Sequence, residues 1–104
     1  MTSDIAVLSD LDEYYIFRSI KADVFLVNNV EEARKKMVEI SSKYKIIFIN
    51  IDLALQMGDD LNQYDEQTYP IVTVLPSSKS ESRVGMDKIL KMAKETLGID
   101  VFKE

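Results

Sequence analysis

The side chains best placed to do chemistry in this 104-residue chain are four carboxylates. Asp10, Asp12 and Glu13 follow the first apolar run, Ile5 to Leu8, and Asp52 follows the third, "KIIFIN" at residues 45–50. Carboxylates gathered at the ends of neighbouring strands are hard oxygen ligands suited to a divalent cation such as Mg²⁺. The chain has no histidine and no cysteine, so acid–base work would fall to these carboxylates, or to lysines and tyrosines of displaced pKa. The same residues serve equally well as helix caps and solvated charge. No serine has a histidine to activate it, and no lysine sits in a long apolar stretch that would depress its pKa. The balance favours no catalytic residue, no metal and no cofactor.

The elements that would position these groups follow from apolar spacing. Residues 5–8, 23–27, 45–50 and "YPIVTVLP" are short runs of the kind found in parallel strands, with Pro70 and Pro76 at the ends of the fourth, where a strand tolerates proline. Between the second and third, Val30, Ala33, Met37, Ile40 and Tyr44 recur at steps of three and four, giving an amphipathic helix. Asn28 or Asn29 would cap it, as Asp10 or Asp12 would cap the helix after strand one. A weaker helix is predicted from about Asp52 to Tyr64, with Gly58 in its middle costing on the order of 1 kcal/mol. A last helix, Met86 to Leu97, buries Met86, Ile89, Leu90, Ala93 and Leu97, and Gly98 is placed to end it.

The order βαβαβαβα predicts an α/β fold, a small open parallel four-stranded sheet in the order 2-1-3-4 with helices on both faces. It forms one domain: a sheet region at 1–76, a polar serine-rich hinge at 77–85, and a C-terminal helix and tail at 86–104. In such sheets ligands bind beyond the carboxyl ends of the strands. Nucleotide-binding versions place glycines at the first strand–helix junction; "IAVLSDLDEYYIF" has none. The carboxylates loosely resemble the acidic pocket of response-regulator receivers, which makes phosphorylation of Asp52 the alternative function. A receiver also needs a lysine after a fifth strand, and no fifth strand is predicted.

Surface composition points to protein contact. Only part of Tyr14, Tyr15, Ile16, Phe17 and Ile20 can face the sheet, so at least one tyrosine looks outward, and aromatics are enriched at interfaces. Met92 lies off the stripe of the last helix, and Ile99, Val101 and Phe102 follow it. Lys88, Lys91 and Lys94 nearby could meet an acidic partner. The net charge of −5, without a basic stripe, argues against nucleic acid. No apolar run approaches the roughly 20 residues of a membrane span, and the N-terminus has no signal pattern; a cytoplasmic protein is expected.

Taken together, "IAVLSDLD", "FRSIKADVFLV", "VEEARKKM", "KIIFINIDLA" and "YPIVTVLP", followed by a polar loop and one amphipathic helix, resemble the F subunit of V-type and archaeal A-type rotary ATPases (ATP synthases). The resemblance runs from about Asp4 to Gly98. Family members commonly carry glycine-aspartate where this chain has Ser9-Asp10, a glycine where it has Ile16, and a glycine near Lys21-Ala22. The resemblance implies a non-catalytic rotor component, peripheral to the membrane. It would bind the coiled-coil D subunit inside the A–B catalytic hexamer and help couple ATP hydrolysis or synthesis to proton or sodium transport through the membrane rotor. The serine loop would be the hinge and residues 86–97 the moving element. The expected contacts are Tyr14, Tyr15, Lys88, Met92, Ile99, Val101 and Phe102.

Overall fold

The computed structural model describes residues 4–64, 68–76 and 85–97. Four parallel strands, β1 (Ile5–Ser9), β2 (Asp23–Leu26), β3 (Ile46–Asn50) and β4 (Ile71–Leu75), form one sheet in the order β2-β1-β3-β4. The predicted architecture is the observed one.

Strand alternation sorts the core into two layers. The row Val24, Val7, Phe48, Thr73 points to one face and the row Phe25, Leu8, Ile49, Val74 to the other. On the second face lie α1 (Val30–Ser41) and α2 (Ile51–Met57), where Ala33, Met37, Ile40, Leu53 and Met57 pack with Ala6, Leu8, Ile47 and Ile49. The first face is covered by a 3₁₀ helix, η1 (Asp12–Ile20), and by α3 (Met86–Thr96); here Tyr14, Phe17, Ile89 and Ala93 pack with Val7, Phe48 and Leu75. The central strands are therefore buried on both faces, which is why they read as uninterrupted apolar runs.

The helix starts follow local chemistry. Asn29 caps α1, its side-chain oxygen accepting from the Glu32 amide at 2.9 Å, while Glu32 Oε1 accepts from the Asn28 amide at 2.9 Å. This reciprocal pairing satisfies donors that the helix itself cannot. Neither Asp10 nor Asp12 caps η1: Leu11 occupies the cap position without a side-chain bond. Instead Ser9 Oγ accepts from the Leu11 amide at 2.9 Å and turns the chain.

Two helices differ from their predicted form. The first is 3₁₀ rather than α, and the reason lies in its apolar spacing. Leu11, Tyr14, Phe17 and Ile20 all pack in the same core cluster. They fall every third residue, the period at which 3₁₀ side chains eclipse. The second is not one helix from Asp52 to Tyr64. It breaks at Gly58 into α2 and a second 3₁₀ segment, η2 (Gly58–Tyr64). Gly58 has φ 54° and ψ −124°, a backbone conformation that L side chains avoid. A Cβ there would meet nothing, so the constraint is in the backbone and not in the packing. Residues 77–84 of the predicted hinge, and Gly98, lie outside the described residues.

Lys21 ends η1 in the left-handed region, φ 66° and ψ 25°, its amide donating to the Arg18 carbonyl. That conformation costs a residue with a Cβ about 1–2 kcal/mol, and a glycine there offsets part of its gain through greater unfolded-state freedom. Lys21→Gly is expected to stabilise the protein by about 0.5–1 kcal/mol. A higher urea midpoint with an unchanged m-value would register it; an equal or lower midpoint would refute it.

Candidate functional site

The carboxyl ends of the strands, the default ligand site of this architecture, are filled by the protein's own side chains. Ser9 and Asn50 end the two central strands, and both are fully buried. Asn50 Nδ2 donates to Asp10 Oδ1 at 3.1 Å. The Tyr14 hydroxyl donates to the Pro76 carbonyl, tying η1 to the end of β4. Burial first, and then the charges of Glu13, Asp52 and Asp10, push the Tyr14 phenol well above its ordinary pKa. It is a neutral structural donor and not a proton carrier.

The predicted carboxylate set does not assemble into a metal centre. Among the described residues no group of three or more Asp, Glu, His or Cys side chains is arranged to hold a metal ion. Asp52 lies in the first turn of α2, two residues past the strand end. The side chain at the strand end is the amide of Asn50, which has no carboxylate to accept a phosphoryl group. The geometry therefore gives the receiver-like reading no support.

The sequence places Tyr14 beside Tyr15 as a partner contact, and the structure corrects this. Tyr14 is fully buried, stacked on Phe17 with ring centroids 5.7 Å apart. Its position in the every-third-residue stripe turns it inward. Tyr15 is the outward tyrosine, 38% exposed, with the Arg18 guanidinium 4.5 Å over its ring. Lys88 is exposed on α3, as are Met92 (44%) and Lys91. Ile99, Val101 and Phe102 lie outside the described residues.

The structure adds residues that sequence spacing does not single out as contacts. Ile16, beside Tyr15, is 37% exposed, and Leu26 at the free edge of β2 is 42% exposed. Leu26 alternates with Phe25 and so lies on the same side of the sheet as Val24, which packs in the η1 layer. Arg18 lines a shallow depression with Lys21, Val24 and Phe25. The Tyr15–Arg18 row thus runs along the β2 side of η1, while α3 packs against η1 on the same face of the sheet. Among the described residues no helix is long and apolar enough to cross a membrane.

The strand ends of this small parallel α/β domain carry the buried side chains of Ser9 and Asn50, and its outer helical layer exposes Tyr15, Ile16 and Met92. Its relatives place it in a family. The profile of the ATP synthase (F/14-kDa) subunit family matches residues 5–93, and the chain belongs to that family. It is 32% identical over 95 residues to the F subunit of a V-type ATP synthase from Fusobacterium nucleatum, covering 90% of each chain. It is 28% identical over 102 residues to the corresponding protein of Clostridium perfringens, covering 97% of each. A Clostridium botulinum relative of the same name is 26% identical over 102 residues, covering 97% of this chain and 99% of the relative.

Proposed function

We propose that this chain is the non-catalytic central-stalk F subunit of a V/A-type rotary ATPase. It binds the coiled-coil D subunit and helps couple ATP hydrolysis or synthesis in the A–B hexamer to proton or sodium transport through the membrane rotor. The observation that carries the reading is the nearly end-to-end match to V-type ATP synthase relatives. The filled strand-end crevice supports it, because a domain that plugs its usual ligand site with Ser9, Asn50 and Tyr14 has only its exterior left for recognition. Among the described residues the proposed contacts are Tyr15, Lys88 and Met92; Ile99, Val101 and Phe102, proposed with them, lie outside the described residues. A permanent interface of this kind should bury more than about 1,200 Å² in total around an apolar centre.

Co-expression with the D subunit from the same organism is expected to give a one-to-one complex that survives gel filtration. Separate elution of two folded partners would overturn the proposal.

A further inference from the structure

We infer that the flank formed by α2, η2 and the outer edge of β4 binds an extended, basic segment of a partner protein, added as a strand beside β4. The inference goes beyond the proposed rotor function and does not rest on it.

The backbone of β4 is prepared on one side only. β4 is an edge strand. The Ile71 amide donates to the Lys45 carbonyl at 2.8 Å, on the β3 side. A parallel ladder engages alternate residues, so Ile71, Thr73 and Leu75 face β3, while Val72 and Val74 turn their N–H and C=O groups away from it. Pro70 and Pro76 close the stretch at both ends, since neither offers an N–H. Between them no residue is charged, although charge is a common protection of edge strands. A further parallel strand of this chain, placed there after α3, would need a left-handed crossover. The connection through η1, on the same face as α3, runs from β1 toward β2, in the opposite sense. The edge therefore fits a strand from another chain.

Apolar side chains surround this edge. Strand alternation puts Val74 on the α2 face and Ile71 on the other, with Tyr69 just before the strand. All three are exposed, and Leu55, on the outer face of α2, is 73% exposed.

The chemistry of the occupant follows from charge. Residues 46–78 contain Asp52, Asp59, Asp60, Asp65 and Glu66 and no Lys or Arg, whereas the rest of the chain carries as many acids as bases. The whole net charge of −5 thus belongs to this stretch. Asp65 and Glu66 lie outside the described residues. The three-residue period of η2 sorts the others into lines. Leu61 and Tyr64 pack in the core, and Asp60 and Gln63 line a cleft with Arg34 and Met37 of α1. The third line, Asp59 and Asn62, is left on the side away from α1, toward β4. Asp60 is paired with Arg34. Asp59 accepts only from the neutral Asn62 amide, at 3.2 Å, and Asp52 lies three residues before Leu55 on the outer face of α2. Neither makes an ion pair among the described residues. Lys45, at the amino end of the flank, stands 5.8 Å over the Tyr69 ring, so the partner's bases belong on the α2 side. A second copy of β4 would bring an uncharged strand and another acidic flank, like charge against like charge. The occupant is therefore a different chain whose side chains on the α2 face are Lys or Arg.

The test uses the full chain, isotope-labelled for NMR, with a capped peptide of alternating lysine and valine as probe and a glutamate–valine peptide as its counterpart. The lysine peptide is expected to shift the Val72 and Val74 amide signals saturably and to slow their hydrogen exchange, with an affinity that falls as salt is added. Asp59→Lys and Val74→Pro are each expected to weaken binding at least about threefold, through the reversed charge and the lost outward N–H. Asp12→Lys, the same change in net charge placed on η1, should leave binding unchanged. Circular dichroism establishes that each variant is folded; if Val74→Pro is not, Asp59→Lys against Asp12→Lys decides. The inference is overturned if no saturable shift appears at Val72 and Val74, if the glutamate peptide binds equally well, or if Asp12→Lys weakens binding as much as Asp59→Lys. Shifts at these amides that follow protein concentration alone would make the occupant a second copy and overturn it too.

Discussion

Phe17→Ala is expected to remove about 3–5 kcal/mol of folding stability, the range for truncating a fully buried aromatic. Phe17 has no exposed surface and holds two other rings, Tyr14 at 5.7 Å and Phe48 at 5.9 Å between centroids. Phe48 sits on a central strand and Tyr14 reaches the end of β4 through Pro76, so the ring joins β3, η1 and the far edge of the sheet. Truncation removes the transfer energy of one side chain and leaves a cavity whose walls are held by elements on three sides. A domain of this length has a total stability of about 5–15 kcal/mol, so the loss is a large fraction of the whole. A 3₁₀ helix has poorer hydrogen-bond geometry than an α-helix, which makes η1 dependent on this packing for its existence. Urea denaturation followed by circular dichroism would measure the effect. A loss below about 1 kcal/mol would mean that η1 does not rest on Phe17, and that its docked position is set by some other contact.

The same region explains what the amino-acid string could and could not disclose. The strands were legible because β1 and β3 are buried on both faces, so their residues have no polar alternation to hide the run. α1 was legible because Ala33, Met37 and Ile40 repeat at helical steps. η1 was harder: residues three apart fit both an α-helix and a 3₁₀ helix, so Leu11, Tyr14, Phe17 and Ile20 specified an inward stripe but not its pitch. Tyr14, the tyrosine in that stripe, turns inward, and its hydroxyl finds a partner 62 residues away in sequence, the Pro76 carbonyl. The break at Gly58 had a similar cause. Helix propensity registers glycine as a modest cost, but the positive φ that splits the element is a property of the tertiary path. Asn50 carried no distinctive signal, since one amide at the end of an apolar run reads as a cap or a turn. Leu26 gained meaning only from strand order: the same leucine on a central strand would be core, and on the edge strand it is 42% exposed. The acidic residues were the most visible feature of the sequence and the least informative, because charge is legible in a string of letters and convergence in space is not.

The second large effect is a loss of stability in alkali. The Tyr44 hydroxyl donates to Asp23 Oδ2 at 2.6 Å. Burial, that hydrogen bond and the Asp23 and Glu39 charges push the phenol up to about 12. Tyr14 is displaced in the same direction, chiefly by burial. For both groups the folded state holds its proton more tightly than the unfolded chain, whose phenols titrate near about 10. Below that pH both states are protonated and these groups contribute their full stability. Above it the unfolded phenols ionise first, so stability falls as pH rises from about 10 through about 12 for Tyr44, and further for Tyr14. Each group adds a slope approaching about 1.4 kcal/mol per pH unit within its window. Urea midpoints taken from about pH 8 to about pH 11.5 should therefore hold level and then drop steeply, with phenolate absorbance from these two residues appearing only as the protein unfolds. Tyr44→Phe should make the descent shallower, because one linked proton is gone. Tyr14→Phe should do the same while costing about 1 kcal/mol at neutral pH through the lost bond to the Pro76 carbonyl. Both phenols ionising near their ordinary pKa in the folded protein would contradict the burial and bonding assigned to them, and with it the filled crevice on which the non-catalytic reading leans.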